Sequence, residues 1–121
     1  DQLDILVNNA SRFYPTHVGE TKTWQWDDLV NSNLRGPYFL VQALLPELKR
    51  RGGSVINIVD IYARRPLPDH VVYCVSKAGL EMMTKAMAAD KVAPAAASAS
   101  ITARRPRRRS SPSARRSESS R

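Results

Sequence analysis

Two short, nearly continuous apolar runs, residues 3–7 (LDILV) and 55–59 (VINIV), are the feature that most constrains the fold of this chain. Such runs are typical of strands buried on both faces of a parallel sheet. Parallel neighbours need a long crossover connection, which is usually a helix. A long helical pattern does lie between the two runs, and a second one follows them. The order strand, helix, strand, helix therefore predicts parallel α/β architecture.

The first helical pattern begins at about Trp26, and we interpret Trp24 and Trp26 as packing residues at its start. A basic last turn at 49–51 and two glycines at 52–53 close it. Its apolar positions recur at intervals of three and four: Leu29, Val30, Leu34, Tyr38, Val41, Leu44, Leu45 and Leu48.

The second helical pattern begins near His70, with Asp69 placed to cap it, and its apolar face predicts packing against the sheet. The residues of that face are Val72, Val75, Leu80, Met83 and Met87. Residues 11–20 and 61–68 contain prolines and read as loops.

The surplus of basic charge lies entirely in residues 91–121. Residues 1–90 hold ten basic and ten acidic side chains, whereas residues 91–121 hold Lys91, eight arginines and one acid, Glu118. Because Ala, Arg, Ser and Pro dominate residues 91–121 and no apolar periodicity survives there, we predict a disordered low-complexity tail. The domain boundary is therefore expected at residue 90.

Other chemistry and other locations are disfavoured by the composition. Cys74 is the only cysteine, which excludes an intramolecular disulfide and fits a reducing compartment. His17 and His70 have no partner at ligand spacing, so no metal site is predicted. The sequence shows no apolar stretch long enough to span a bilayer and no signal peptide, so we expect a cytoplasmic protein without membrane contact.

A tyrosine and a lysine four residues apart, Tyr73 and Lys77, form the sharpest candidate site. On a helix this spacing places both side chains on one face. A nearby ammonium favours the phenolate, so we expect Lys77 to lower the pKa of Tyr73 and make the pair a usable general acid and base. Chance placement on a helix is the competing interpretation of the pair alone.

Two more residues fit the same site. Asp60 directly follows the second apolar run, at the strand end where open parallel sheets place their sites; a turn cap is the alternative. Pro37 lies four residues after Asn33 and has no N–H, so the carbonyl of Asn33 loses its intrahelical partner. That carbonyl could hold a water in a proton relay toward Lys77, the alternative being a simple proline kink.

These residues together resemble the short-chain dehydrogenase/reductase family over about residues 1–90. Asn8-Asn9-Ala10 matches the Asn-Asn-Ala-Gly motif after a strand, Asn33 lies at the family's spacing, and Tyr73 to Lys77 match its YxxxK. Asp60 replaces the usual Ser, and Ser11 replaces the usual Gly. Both replacements are those of pteridine reductases, which the stretches NNASRFYPT and NIVDIYARRPLPDHVVYCVSK also resemble.

The resemblance implies a fold and a reaction. The fold is a partial Rossmann-like doubly wound parallel sheet, limited to its central strands and helices. The reaction is NADPH-dependent reduction of a pterin, of the dihydropterin, biopterin or dihydrofolate type. The intact enzyme would be a homodimer or homotetramer that makes its contacts through the two long helices.

The resemblance also implies roles for individual residues. Asn33, Asp60, Tyr73 and Lys77 would be catalytic: Tyr73 would deliver the proton with Asp60 beside it, and Lys77 would tune Tyr73. Asn9, Ala10, Ser11, Tyr73 and Lys77 would contact the cofactor, Lys77 through the nicotinamide ribose. Ser11, Phe13, Asp60 and Tyr73 would contact the substrate, with Phe13 stacked on the pterin.

The family's glycine-rich TGxxxGxG turn does not occur among the five glycines of the chain. In relatives it precedes the position of Asp1, so we expect residues 1–90 to be a catalytic domain without its N-terminal cofactor-binding half, inactive on its own. We also hypothesise a frameshift soon after Asp90, because GC-rich codons read out of frame give mostly Ala, Arg, Ser and Pro.

Three alternatives stay open at this point. The first is a carbonyl or steroid reductase of the same family, which Asp60 and Phe13 disfavour. The second is a nucleic-acid binder acting through the arginines of residues 104–116; these lack interleaved aromatics and adjoin a neutral domain, so we expect no nucleic-acid partner. The third is a non-catalytic remnant.

The pair Arg64-Arg65 is interpreted as part of a solvated loop.

Overall fold

The computed structural model describes residues 2–92 and, for the backbone alone, residues 95–101. Three parallel strands form one sheet in the order β1-β2-β3, with β1 at Ile5–Asn8, β2 at Ser54–Asp60 and β3 at Ala95–Ile101. Two helices, α1 at Thr23–Val30 and α2 at Gly36–Arg51, lie between β1 and β2, and α3 at Val71–Ala89 lies between β2 and β3. This confirms the predicted α/β class and the central part of a Rossmann-like sheet.

The core lies between the sheet and two of its helices. Val55 of β2 packs with Val41 and Leu48 of α2 and with Met87 of α3, so both helices cover the same face of the sheet. β2 alternates buried and half-buried residues along its length. β1 is less enclosed than a strand buried on both faces, because none of the described elements covers the side chains of its residues Ile5 and Val7, which are exposed.

The predicted long helix is interrupted before the proline. Residues Asn31–Arg35 form a π-helical turn, in which the Gly36 N–H donates to the Asn31 carbonyl five residues earlier. The missing N–H of Pro37 removes a regular helical bond at this point, and the wider turn is the backbone's response. The helix begins at Thr23, three residues before the predicted start, and ends as predicted with Gly52 in the left-handed region. Trp24 and Trp26 lie at the start of the helix as predicted, and Trp24 contacts the Tyr14 ring, but both side chains are largely exposed, at 63% and 46%.

The cap of α3 comes from a different loop than the sequence indicates. The predicted cap, Asp69, is wrong: its φ is 62°, it lies outside the helix, and its carboxylate is 3.1 Å from the His17 ring. Instead the buried Thr16 hydroxyl accepts a hydrogen bond from the Val72 N–H at 3.3 Å, and the Thr16 N–H donates to the Asp69 carbonyl at 2.7 Å. The loop after β1 is thereby attached to the start of α3.

The prediction of disorder from residue 91 onward was wrong for Ala95–Ile101, which form β3. This strand pairs with β2 in register from Ser54 with Ala95 to Asp60 with Ile101. An open sheet edge offers N–H and C=O groups that any backbone can satisfy, so a strand of small residues forms without apolar periodicity. Residues 102–121 of the predicted tail lie outside the described residues. In the described part of the chain, no helix has both the length and the apolarity needed to cross a bilayer.

Candidate active site

The carboxyl ends of β1 and β2 lie at the same edge of the sheet because the two strands are parallel. Asn8 ends β1, Asp60 ends β2, and the first turns of α3 lie beside them. This edge is where open α/β sheets place their ligands. Tyr73 and Lys77 of α3 therefore reach the same region as Asp60.

Tyr73 and Asp60 are in direct contact. The Tyr73 hydroxyl donates a hydrogen bond of 2.7 Å to Oδ2 of Asp60, while Oδ1 accepts the Tyr62 N–H at 3.1 Å. The second contact caps the short 3₁₀ turn Ile61–Ala63, which confirms the capping interpretation of Asp60, while its catalytic role stays a prediction. One carboxylate thus fixes a backbone turn and holds the phenol.

The expected effect of Lys77 on Tyr73 was wrong. Burial, and then the hydrogen bond and charge of Asp60, raise the pKa of Tyr73 well above its usual value. Lys77 Nζ is 5.9 Å from the centre of the Tyr73 ring, and burial lowers the pKa of Lys77, partly opposed by Asp60. A carboxylate in direct contact outweighs a more distant ammonium, so Tyr73 is a neutral proton donor in this arrangement.

Lys77 has hydrogen-bonding capacity left over. Its side chain is almost completely buried, at 3% exposure, and Nζ donates to the Ile58 carbonyl of β2 at 3.1 Å. An ammonium has three N–H donors. Among the described residues the Ile58 carbonyl is its hydrogen-bond partner, which leaves donors for hydroxyl groups of a bound molecule.

Asn33 joins the loop after β1 to α3 through its side chain. Its Oδ1 accepts the Ser11 hydroxyl at 3.1 Å and the Arg12 N–H at 2.8 Å. Its Nδ2 donates to the Arg12 carbonyl at 2.9 Å and to the Ser76 hydroxyl at 3.0 Å. This explains why the residue four before Pro37 is an asparagine. The water relay through its carbonyl stays a prediction.

The other expected ligand residues lie on the loop after β1. Asn9 and Ala10 line a cavity of about 300 Å³ that also contacts the π-helical turn. Phe13 is 56% exposed; its ring stacks on His70, with centroids 4.7 Å apart, and meets the Tyr73 ring nearly at right angles. Phe13 is therefore within reach of a molecule bound at Tyr73, whereas the side-chain hydrogen bond of Ser11 is with Asn33.

Several contacts of the site were not predicted. Ser76 connects Asn33 to α3, with its hydroxyl donating to the Tyr73 carbonyl at 2.8 Å. Its place inside the YxxxK segment is the only sequence signal for it. Arg64 is not merely solvated, because it forms an ion pair with Glu81. That pair joins residues 17 apart that lie on different elements, so no local pattern indicates it.

The comparisons with known proteins agree on one family. A family model described as short chain dehydrogenase matches residues 1–99. D-xylose 1-dehydrogenase of Caulobacter vibrioides is 41% identical over 87 residues, which are 71% of this chain and 35% of that protein. A 3-oxoacyl-(acyl-carrier-protein) reductase of Staphylococcus epidermidis is 33% identical over 87 residues, 71% of this chain and 36% of that protein. The chain spans about a third of the length of these curated relatives.

Solved structures have the same fold. A gluconate 5-dehydrogenase of Burkholderia cenocepacia, in complex with NADP and tartrate, superimposes with a TM-score of 0.78 at 29% identity, over 84% of this chain and 41% of that one. An acetoin dehydrogenase of Salmonella typhimurium gives a TM-score of 0.70 at 27% identity, over 74% of this chain and 36% of that one.

Proposed function

The chain belongs to the short-chain dehydrogenase family of oxidoreductases, and on that premise we propose that its protein reduces pterins, of the dihydropterin, biopterin or dihydrofolate type, with NADPH. The observation that carries the proposal is the 2.7 Å hydrogen bond from Tyr73 to Asp60. A C=N bond gains a hydride at carbon and a proton at nitrogen. An aspartate in contact with the tyrosine suits a substrate with a C=N bond. The tyrosine can give a proton to the ring nitrogen, and the carboxylate beside it can accept hydrogen bonds from N–H groups of the same ring.

Tyr73 supplies the proton in this reaction. Its raised pKa keeps the phenol protonated at neutral pH, and Asp60 orients the O–H bond. As the ring nitrogen gains electron density, the proton passes from the Tyr73 hydroxyl to that nitrogen. The ammonium of Lys77, 5.9 Å from the ring centre, partly offsets the repulsion between the resulting tyrosinate and Asp60.

The described residues fit a nicotinamide cofactor at three points. Lys77 has free ammonium donors for ribose hydroxyls, Asn9 and Ala10 line the cavity at the end of β1, and the Ser11 hydroxyl lies between β1 and Asn33. When bound, NADPH supplies the hydride. The choice of NADPH is supported by the NADP in the related gluconate 5-dehydrogenase.

Phe13 provides a flat apolar surface for the pterin. Its exposed ring lies beside the Tyr73 ring, so a heterocycle stacked on it would have its nitrogens near the proton donor. Ser11 and Asp60 add hydrogen-bonding groups on either side. A pterin carries several N–H groups and ring nitrogens that can use both.

A second candidate is the oxidation of a sugar. It is favoured by the 41% identity to D-xylose 1-dehydrogenase, which is the higher of the two identities to curated relatives given above. The same Tyr73 would then accept a hydroxyl proton, which requires the phenolate. The raised pKa of Tyr73 opposes that direction at neutral pH.

Steady-state assays of the full-length gene product decide between the two candidates. We expect NADPH oxidation with dihydropterins or dihydrofolate, and slower turnover of D-xylose and simple ketones. The variant Asp60→Ser, which restores the residue usual in the family, should lose pterin reduction by on the order of 100-fold and keep residual ketone reduction. Rapid xylose oxidation without pterin reduction would contradict the proposal. We expect the 121-residue polypeptide alone to be inactive.

We also propose that the intact enzyme is a homodimer or homotetramer. Support comes from exposed apolar side chains on α2 and α3, including Tyr38, Phe39, Leu40, Val75 and Met82. Exposed apolar clusters of this kind are typical of interaction surfaces. Sedimentation of the purified full-length gene product would test this; a monomer would contradict it.

A further inference from the structure

Glu81 is a buried carboxylate on α3, beyond the candidate catalytic residues. Its side chain is 6% exposed and is held by two cations. Arg64 Nε lies 2.8 and 3.0 Å from its two oxygens, an Arg64 terminal nitrogen also contacts Oε1, and Lys85 Nζ is 2.9 Å from Oε1. These hydrogen bonds lower the pKa of Glu81 to about 2. A charge at this depth destabilises the fold unless it is paired, so the contact with Arg64 is strongly constrained.

Arg64 ends the short turn that begins at Asp60. The Arg64 and Arg65 N–H groups both lie 3.0 Å from the Ile61 carbonyl, which closes the turn. At the other end, Asp60 Oδ1 accepts the Tyr62 N–H. The turn is therefore bounded by two side chains, Asp60 at its start and Arg64 at its end, and both are bound to α3.

Three successive turns of α3 hold the strand and turn that carry Asp60. Tyr73 contacts the Asp60 carboxylate, Lys77 contacts the Ile58 carbonyl, and Glu81 contacts Arg64. Because these α3 residues are four apart, they lie on one face of the helix and advance about 6 Å at each step. Tyr62, in the middle of the turn, also packs against Val72 and Tyr73 of α3. Glu81 therefore anchors the end of the turn, and without its contact the part after Tyr62 would lose its ion pair with α3.

We propose that Glu81 is a positioning residue that acts through Arg64 to fix the turn and so to hold the Asp60 carboxylate against the Tyr73 hydroxyl. The inference rests on the proposed role of Tyr73 and Asp60 in proton transfer. Glu81 is the fixed end of the pair, because the Arg64 side chain is 71% exposed and the Glu81 side chain only 6%.

Hydrogen exchange in the full-length gene product tests, without any substrate, whether Glu81 fixes the turn. The variants are Glu81→Gln and Arg64→Gln, with Glu47→Gln as matched control, because Glu47 forms an ion pair with Arg50 on α2, away from the site. We expect the Tyr62, Arg64 and Arg65 amides to exchange at least on the order of ten times faster in the two test variants. The α3 amides of the test variants, and all amides of the control, should keep wild-type rates.

Unchanged exchange at the three turn amides would overturn the proposal, as would a wild-type protein in which they are unprotected. Arg64→Gln keeps the test valid if Glu81→Gln does not fold, because Lys85 still neutralises the carboxylate in that variant.

Steady-state kinetics test whether the fixed turn holds Asp60 in place for proton transfer. In pterin reduction we expect kcat to fall on the order of 10-fold in each single variant, with KM changed by less than about 2-fold, because misplacement of Asp60 affects the transition state. The double variant should be no slower than either single one, since both act through one contact. Additive losses, or a change in KM alone, would overturn the proposal. A wild-type protein without reductase activity would instead refute the proposed function, while hydrogen exchange would still decide the role of Glu81.

Discussion

The Tyr73 hydroxyl lies 2.7 Å from the Asp60 carboxylate and donates a hydrogen bond to it, which joins α3 to the carboxyl end of β2. The same contact binds the phenolic proton more tightly in the folded chain, because burial and the adjacent negative charge both disfavour the phenolate. Stability and proton chemistry are therefore linked at this one residue.

The stability of the fold should fall at high pH because of Tyr73. Its pKa is raised in the folded state, so its stabilising contribution is complete below the unfolded pKa of about 10 and is lost as pH rises through the higher folded pKa. Urea unfolding of the full-length protein between pH 8 and 11 should show a steeper loss in wild type than in Tyr73→Phe. Equal slopes for the two proteins would show that the phenolic proton is not held in this way.

Replacing the exposed ring of Phe13 should weaken pterin binding. In Phe13→Ala we expect KM for the pterin to rise about 2- to 10-fold with kcat little changed, because stacking of aromatic rings contributes about 0.5–1.5 kcal/mol beyond area burial. Steady-state kinetics of the full-length protein measure both constants. Phe13→Tyr keeps the ring and should behave as wild type; an equal rise of KM in that variant would rule out stacking as the cause.

Loss of the Thr16 hydroxyl should loosen the start of α3. Thr16→Val keeps the shape of the side chain but removes the acceptor for the Val72 N–H, so the free energy of unfolding should fall by about 1 kcal/mol. Chemical denaturation, together with faster exchange of the Val72 amide, would measure this. The control Thr16→Ser retains the hydroxyl, and a loss as large in Thr16→Ser as in Thr16→Val would argue against capping.

A buried row of hydrogen bonds should make Asn57 important for stability. Asn8 Nδ2 donates to Asn57 Oδ1 at 2.7 Å, and Asn57 Nδ2 donates to the Thr84 hydroxyl at 2.8 Å, which links β1, β2 and α3. Asn57→Ala leaves the Asn8 donor buried without this partner and should lower the free energy of unfolding by about 1–3 kcal/mol. Denaturant unfolding measures the free energy of unfolding of both variants. The control is Asn31→Ala, which alters an exposed asparagine and should change that free energy little.

The sequence predicts those parts of the molecule that depend on local pattern. The apolar runs locate β1 and β2, and the spacing of Tyr73 and Lys77 together with the strand end at Asp60 predicts that these three residues lie close together, as they do. Thr16 could not be predicted as a cap, since it lies 56 residues from Val72, whose N–H donates a hydrogen bond to its hydroxyl. Helix signals are read from neighbours in sequence, and Asp69 was the only suitable neighbour.

The chemistry of the site depends on distances that spacing does not provide. The position of Lys77 on the helix indicates that it is near Tyr73, but not that Asp60 is nearer and has the larger effect on the pKa. β3 was missed for a different reason: its pairing with β2 uses the backbone, and its Ala and Ser residues carry no apolar pattern.

The π-helical turn at Asn31–Arg35 sets the rotational phase between α1 and α2. A π-helical turn holds about one residue more than a regular turn, and each residue of a helix rotates the chain by about 100°. Shortening this turn by one residue would make the helix regular but would swing either Leu29 of α1 or Val41 of α2 out of the protein interior. The length of this segment is therefore as strict a requirement as the identity of its one buried residue, Asn33.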